Sequence, residues 1–394
     1  MLGVACLSLL SLAGLSSAQD LGVPLSWREF SNDRSRDERI SISQAAIDAI
    51  LPQLDTGNGE FSGIGYWQSG NVWASMANED HRAGTTVYQG QVVDQLNNVF
   101  NLHANYDQWG FNDDAMWWAT AAYYAYRAYG DSTLLNYAIT TWEHISTFAI
   151  SQDNANSGSI PTKNFGFQGS CDGQSMVGGV FWKVDASDNG INGITTSLYS
   201  TLSAFLGEAT GESRFIDAAI RSANWIKNVN MNSDYLVLDT VHATDCTRSP
   251  DNWLFTYNSG KYLEGLNVLA DVTGDDAWKS LAVNVANAAM KTSAWQGSNG
   301  VITEGASPNE NNDGVGFKSI LLRALDETYN RRGGDNESLR ILIHSYVCVQ
   351  FNALLELAAD GNNYSSAWAG PAQGFTTWGQ MAALDVFVAA IHAA

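Results

Sequence analysis

Two kinds of helical pattern alternate along this chain. Between Ala115 and Tyr126 only Thr120 is neither apolar nor aromatic, which predicts a helix buried nearly all round. The next segment is one-sided: Leu135, Ala138, Trp142, Ile145 and Ala149 recur at three and four, with Asn136, Thr140, Glu143 and Thr147 opposite. A second pair repeats the scheme, because Asp217, Arg221, Asn224 and Asn228 form a polar stripe on the helix after Gly211. Between such partners stand Gly130-Asp131, Gly211-Glu212 and Gly274-Asp275. Glycine accepts the left-handed backbone that ends a helix, and an acidic residue after it can cap the next one. Recurring units of this kind predict stacked or circularised helical hairpins.

The pattern predicts helices at 42–53, 66–81, 84–99, 113–129, 132–150, 192–210, 212–230, 255–273, 275–293, 314–330, 335–358 and 376–392. Links 100–112, 151–191, 231–254, 294–313 and 359–375 are long and rich in Gly, Asn, Asp, Ser and aromatics, while the alternate turns are short. In an up-and-down ring all the long links emerge at one end, which makes that end the binding surface. The expected fold is all-α, an (α/α)6 toroid of six hairpins with an inner ring wrapped by an outer one. An open solenoid is the alternative, disfavoured because neither end carries a polar capping repeat.

Residues 1–18 carry no charged side chain, run apolar from Leu2 to Leu15 and end in small residues. They are expected to be a signal peptide cleaved near Ala18, being shorter than the ~20 apolar residues of a membrane span. Residues 19–394 then form one domain, secreted and extracellular, with no membrane attachment and no further subunit expected. The segment Thr376–Ala394, broken by Asp385 and His392, reads as the last ring helix and not as an anchor tail. A net charge of −21 excludes nucleic acid and anionic lipid as partners. Among the three cysteines past the signal segment, Cys171 and Cys246 lie in polar, Asp-containing stretches and are the disulfide candidates. Cys348, in YVCVQF, reads as a buried free thiol, and Asn336 and Asn363 open glycosylation sequons. The six His residues lack metal spacing. Asn309 to Gly314 imitates a calcium loop whose twelfth position is Ile320 instead of Glu, and Asp185, Asp188 and Asn189 read as a plain acidic turn. No metal and no cofactor is expected.

One inner helix opens with Asn112-Asp113-Asp114, preceded by an aromatic stretch from Tyr106 to Phe111 and followed by Met116-Trp117-Trp118. Aspartate is a good first-turn residue on its own account, where it meets the helix dipole. An aromatic wall on both sides is not needed for capping, whereas sugar cleavage uses two carboxyl groups, one protonated and one ionised. Apolar surroundings and a neighbouring negative charge both raise the pKa of the protonated member.

The run NDDAMWWATAAYYAYRAYGD at 112–131 resembles the signature region of glycoside hydrolase family 76, the endo-α-1,6-mannanases and their fungal cell-wall relatives. GGVFW at 178–182, NGITT at 192–196, WLFTYNSG at 253–260 and GFKSILLRAL at 316–325 follow in the same order, so the resemblance spans most of the chain. It implies an (α/α)6 fold, hydrolysis of α-1,6-linked mannan and net retention, with Asp113 as nucleophile and Asp114 as general acid and base. The family pattern has an aromatic residue where this chain has Asn112. On the same rim the sequence places Asn192, Tyr257 and Asn258, whose amide and phenol groups suit sugar hydroxyls. Trp117, Trp118, Trp182 and Phe317 offer ring faces to a pyranose or serve as core packing, and Lys318 is a partner for a rim carboxylate or a solvated charge. Three activities are compatible with these residues: a secreted mannanase, a transglycosylase acting on cell-wall mannan, and a carbohydrate-binding ring without catalysis.

Overall fold

The structure, a computed structural model, describes residues 20–394; the expected signal peptide lies outside them. The described chain carries thirteen helices. They begin with α1 (Arg36–Ile50), α2 (Tyr66–Ala83), α3 (Gln89–Leu102), α4 (Asn112–Tyr129) and α5 (Ser132–Ser146). A short α6 (Gln152–Ser157) precedes α7 (Gly193–Thr210), α8 (Ser213–Val229), α9 (Thr256–Thr273) and α10 (Asp276–Lys291). The chain ends with α11 (Asp313–Arg332), α12 (Glu337–Ala353) and α13 (Thr377–Ala393). Helices α2, α4, α7, α9, α11 and α13 each pack on the next, and α13 returns to α2. That closes an inner ring, with α1, α3, α5, α8, α10 and α12 packed outside it. The (α/α)6 expectation holds, and the closure rules out the open solenoid.

The tight turns form as the sequence predicts. Gly130, Gly211 and Gly274 end α4, α7 and α9 in the left-handed region, at φ 75°, 72° and 67°. Asp131 and Asp275 then accept the N–H of Thr133 and Ala277 to start the next helix, whereas Glu212 stands before α8 without a side-chain cap bond. The largest boundary error is at α1, which begins at Arg36 instead of 42. Ser35 accepts the N–H of Glu38 while the Glu38 carboxylate accepts that of Ser35, a capping box that extends the helix upstream.

Because the inner helices are buried on all sides, polar groups facing the ring axis must find partners inside the protein. Arg323 meets Asp385 at 2.8 Å and Lys261 meets Glu264 at 2.7 Å, with Tyr124 donating to Glu264. Toward the tight-turn end, Arg82, Arg127 and Arg331 converge on Glu327 at 3.0, 2.9 and 2.7 Å. Burial alone pushes the Glu327 carboxyl up, but these arginines outweigh it and hold the group well below the usual carboxylate range. The axis is thus a pillar of paired charges, and the apolar core lies between the two rings of helices.

Candidate active site

The long links gather where the inner helices begin, and a cleft of about 780 Å³ opens among them. Asp113 and Asp114 stand half-buried in its wall, on the first turn of α4. Their placement is fixed from the neighbouring link. The Asn112 N–H donates to the carbonyl of Trp182 and its side-chain amide to that of Phe181, both at 2.8 Å. Asn112 therefore sews α4 to residues 181–182 and is itself fully buried outside the cleft lining, which gives the departure from the family pattern a structural role. The stitch lays the Trp182 indole across Asp113, with Nε1 at 3.1 and 3.0 Å from the two carboxylate oxygens. The Asp114 N–H adds a second donor, and a third contact, at 3.1 Å from Asp113 Oδ1.

Burial raises the pKa of both acids. For Asp113, backbone N–H donors and the Trp182 indole oppose that rise because they favour the ionised carboxylate. Among the described residues no donor is aimed at Asp114; after burial, the negative charges of Asp113, Asp313 and Asp107 push it up further. The two acids are therefore unequal. Their surroundings favour the ionised form at Asp113 more than at Asp114.

Trp117, Trp182, Asn192, Tyr257 and Phe317 all line the cleft with the two aspartates. Trp118 and Asn258 do not, which corrects the expectation of sugar contact for both. Successive helical residues point about 100° apart, so with Trp117 facing the cleft Trp118 faces α2. There it stacks on Tyr66 at 4.9 Å and donates to the Tyr66 carbonyl at 3.0 Å. Asn258, one residue past Tyr257, is fully buried and its amide reaches Asp239 Oδ1 at 3.4 Å. Asn192 lines the cleft while its side-chain amide oxygen Oδ1 caps α7 by accepting the Thr195 N–H at 3.1 Å. Lys318 is neither solvated nor paired at the rim: it is buried and donates to the carbonyls of Glu304 and Ser366 at 2.8 and 2.7 Å.

Several lining residues were not evident from the sequence. The strand Gly190–Asn192 pairs antiparallel with Thr240–His242, which brings Asp188 and Asn189 beside Asp239 and His242. The acidic turn is thus part of the cleft wall, with Lys183 Nζ at 3.4 Å from Asp188 and His242 Nδ1 at 2.9 Å from Asn189 Oδ1. Burial raises the pKa of Asp239, partly countered by hydrogen bonds from Asn258, Thr240 and Ser249. Trp67 and Asp313 enter from α2 and α11, joined by a 3.2 Å hydrogen bond from the indole. Cys171 and Cys246 form a disulfide that ties together the links carrying these walls, and Cys348 is a buried free thiol. Among the described residues no group of His, Cys, Asp and Glu is arranged to hold a metal.

The arrangement offers two carboxyl groups in unequal surroundings and ring-lined walls, the kind of set used to displace a glycosidic oxygen. The mannan endo-1,6-alpha-mannosidase DCW1 of Candida glabrata is 28% identical over 166 residues, covering 40% of this chain and 36% of that protein. The chain thus spans little more than a third of the length of the curated relatives it matches. Among solved structures, an inactive variant of the α-1,6-mannanase GH76A of a Salegentibacter species, in complex with α-1,6-mannotriose, superposes with a TM-score of 0.76 at 17% identity. That match covers 90% of this chain and 100% of the other. Dfg5 of Chaetomium thermophilum in complex with glucosamine gives 0.72 at 17% identity, covering 92% of each chain. At such identities the likeness is one of fold. The family profile described as glycosyl hydrolase family 76 matches residues 51–394, and the chain belongs to that family.

Proposed function

We propose that this protein is a secreted endo-α-1,6-mannanase that works with retention of configuration. Asp113, ionised, attacks the anomeric carbon as Asp114 gives its proton to the departing glycosidic oxygen. Asp114 then takes a proton from water, whose oxygen displaces Asp113 and restores both acids. The observation that carries this reading is the unequal surroundings of the pair: three N–H contacts favour charge on Asp113, while burial and nearby acids favour a proton on Asp114. The mannotriose complex of the Salegentibacter mannanase, inactivated by asparagine at two successive aspartates, supports the substrate and the importance of such a pair. The cleft suits a neutral glycan, since the carboxylates of Asp113, Asp114, Asp188, Asp239 and Asp313 face it and Lys183 is drawn to Asp188. The Cys171–Cys246 disulfide and the apolar segment 1–18 support secretion.

The test is incubation with linear α-1,6-mannan, resolving product sizes and anomeric configuration. Short products of retained configuration are expected, and Asp113→Asn and Asp114→Asn proteins should fold yet lose turnover. Lengthened oligosaccharides would identify a sugar acceptor in place of water, through the same glycosyl-enzyme intermediate. Absence of any reaction would leave a binding ring and end the enzymatic reading.

A further inference from the structure

Trp253 lines the cleft but is 49% exposed, unlike the other rings there. A single exposed tryptophan is unremarkable on a protein surface. This one ends a continuous run of rings: Trp253 to Phe255 at 6.4 Å, Phe255 to Phe317 at 5.4 Å, Phe317 to Trp67 at 5.9 Å and Trp67 to Trp117 at 5.7 Å. Trp117 lies one helical turn beyond Asp113 on α4, so the run starts beside the carboxylates and leads outward. Exposure is 2% at Trp117, 9% at Trp67 and 8% at Phe317 before it jumps at Trp253.

Each inner ring is held in place. Lys261 Nζ sits 5.4 Å from the centre of the Trp117 ring, Trp67 donates to Asp313, and Tyr257 stacks on Phe317 at 3.8 Å. The backbone at the outer end is tied down as well, because the Trp253 main-chain N–H donates to the Pro250 carbonyl at 2.9 Å and the preceding link carries the Cys171–Cys246 disulfide. Asp239, His242 and Ser249 share the cleft with Trp253. A pyranose has an apolar face and a rim of hydroxyls, and rings with polar groups nearby suit both.

We propose that Trp253 is the outer platform of a glycan-binding strip, holding a neutral hexose unit away from the one cleaved at Asp113 and Asp114. This rests on the mannanase reading for the identity of the glycan. The strip makes Trp253 a determinant of chain-length preference: short substrates end before reaching it, and long ones gain its contact.

The experiment compares wild type, Trp253→Ala and Trp253→Phe on α-1,6-mannotriose and α-1,6-mannohexaose. The loss in Trp253→Ala should grow with chain length, small on the triose and about tenfold in kcat/KM on the hexaose, entering through KM with kcat little changed. Phenylalanine should restore most of it. Calorimetric binding of mannohexaose to Asp113→Asn/Asp114→Asn protein, with and without Trp253→Ala, separates this proposal from the last. Should wild type cleave nothing while Trp253→Ala still weakens that binding, the activity is wrong and the platform stands. Equal losses at both lengths, or none at either, overturn the platform. So does a change from dimer to monomer in light scattering with unaltered kinetics, which would mark Trp253 as a contact between copies.

Discussion

Replacing Trp182 by phenylalanine removes one N–H and leaves most of a ring that packs against Phe111 at 5.3 Å. That N–H straddles both oxygens of Asp113. A hydrogen bond to a charged group is worth about 1.5–3 kcal/mol, and about 1.4 kcal/mol corresponds to one pKa unit, so its loss should raise the Asp113 pKa by roughly one to two units. The sign follows from the donor's preference for the ionised form. In the wild type burial lifts Asp113 to about 7 and burial with neighbouring charge lifts Asp114 to about 8. The proposed mechanism needs the first ionised and the second protonated, which predicts a narrow bell near neutral pH whose limbs are properties of the pair. In Trp182→Phe the acidic limb should climb to or past the basic one, and the maximum of kcat/KM should fall by roughly two- to tenfold. The measurement is kcat/KM on α-1,6-mannan oligosaccharides between roughly pH 5 and pH 10. A uniform fall with both limbs unmoved would refute the claim that the indole sets the ionisation of Asp113.

Asp114→Asn should be more stable than wild type by a margin that widens as pH rises. The raised folded pKa of Asp114 means that its favourable contribution is complete near pH 4 and is lost toward about 8, which thermal unfolding across that range reads directly. A Cβ at Gly316 would lie 2.7 Å from Trp67 Cη2 and 2.8 Å from Met381 Cε. Gly316→Ala should therefore destabilise by about 1–3 kcal/mol despite its better helix propensity, and should weaken long-glycan binding through Trp67. Cys171→Ser with Cys246→Ser opens a link of 75 residues and should cost about 2–5 kcal/mol in denaturant unfolding.

The ring was legible in the sequence because its repeating device is local: an all-apolar helix, a glycine, an acidic cap and a one-sided helix. Thr376–Ala394 fitted the same grammar and is the α13 that completes the circle. The upstream start of α1 was legible too, in Ser35 and Glu38 three residues apart, but the apolar periodicity begins later and masked it. What stayed hidden was facing. In a helix apolar all round, nothing in the letters separates Trp117, toward the cleft, from Trp118, toward α2. Asp239 was beyond reach for another reason. Its environment depends on pairing between 190–192 and 240–242, two short segments far apart in the chain and without periodicity of their own.

The circular closure of the inner helices also bears on how activity is acquired. The cleft takes Trp67 from α2 and Phe317 from α11, and α13 must then dock between those two helices. Contacts of such long sequence separation form late and slowly. Turnover during refolding should therefore lag behind the recovery of helical circular dichroism, because the helical content of the earlier hairpins does not assemble a complete cleft.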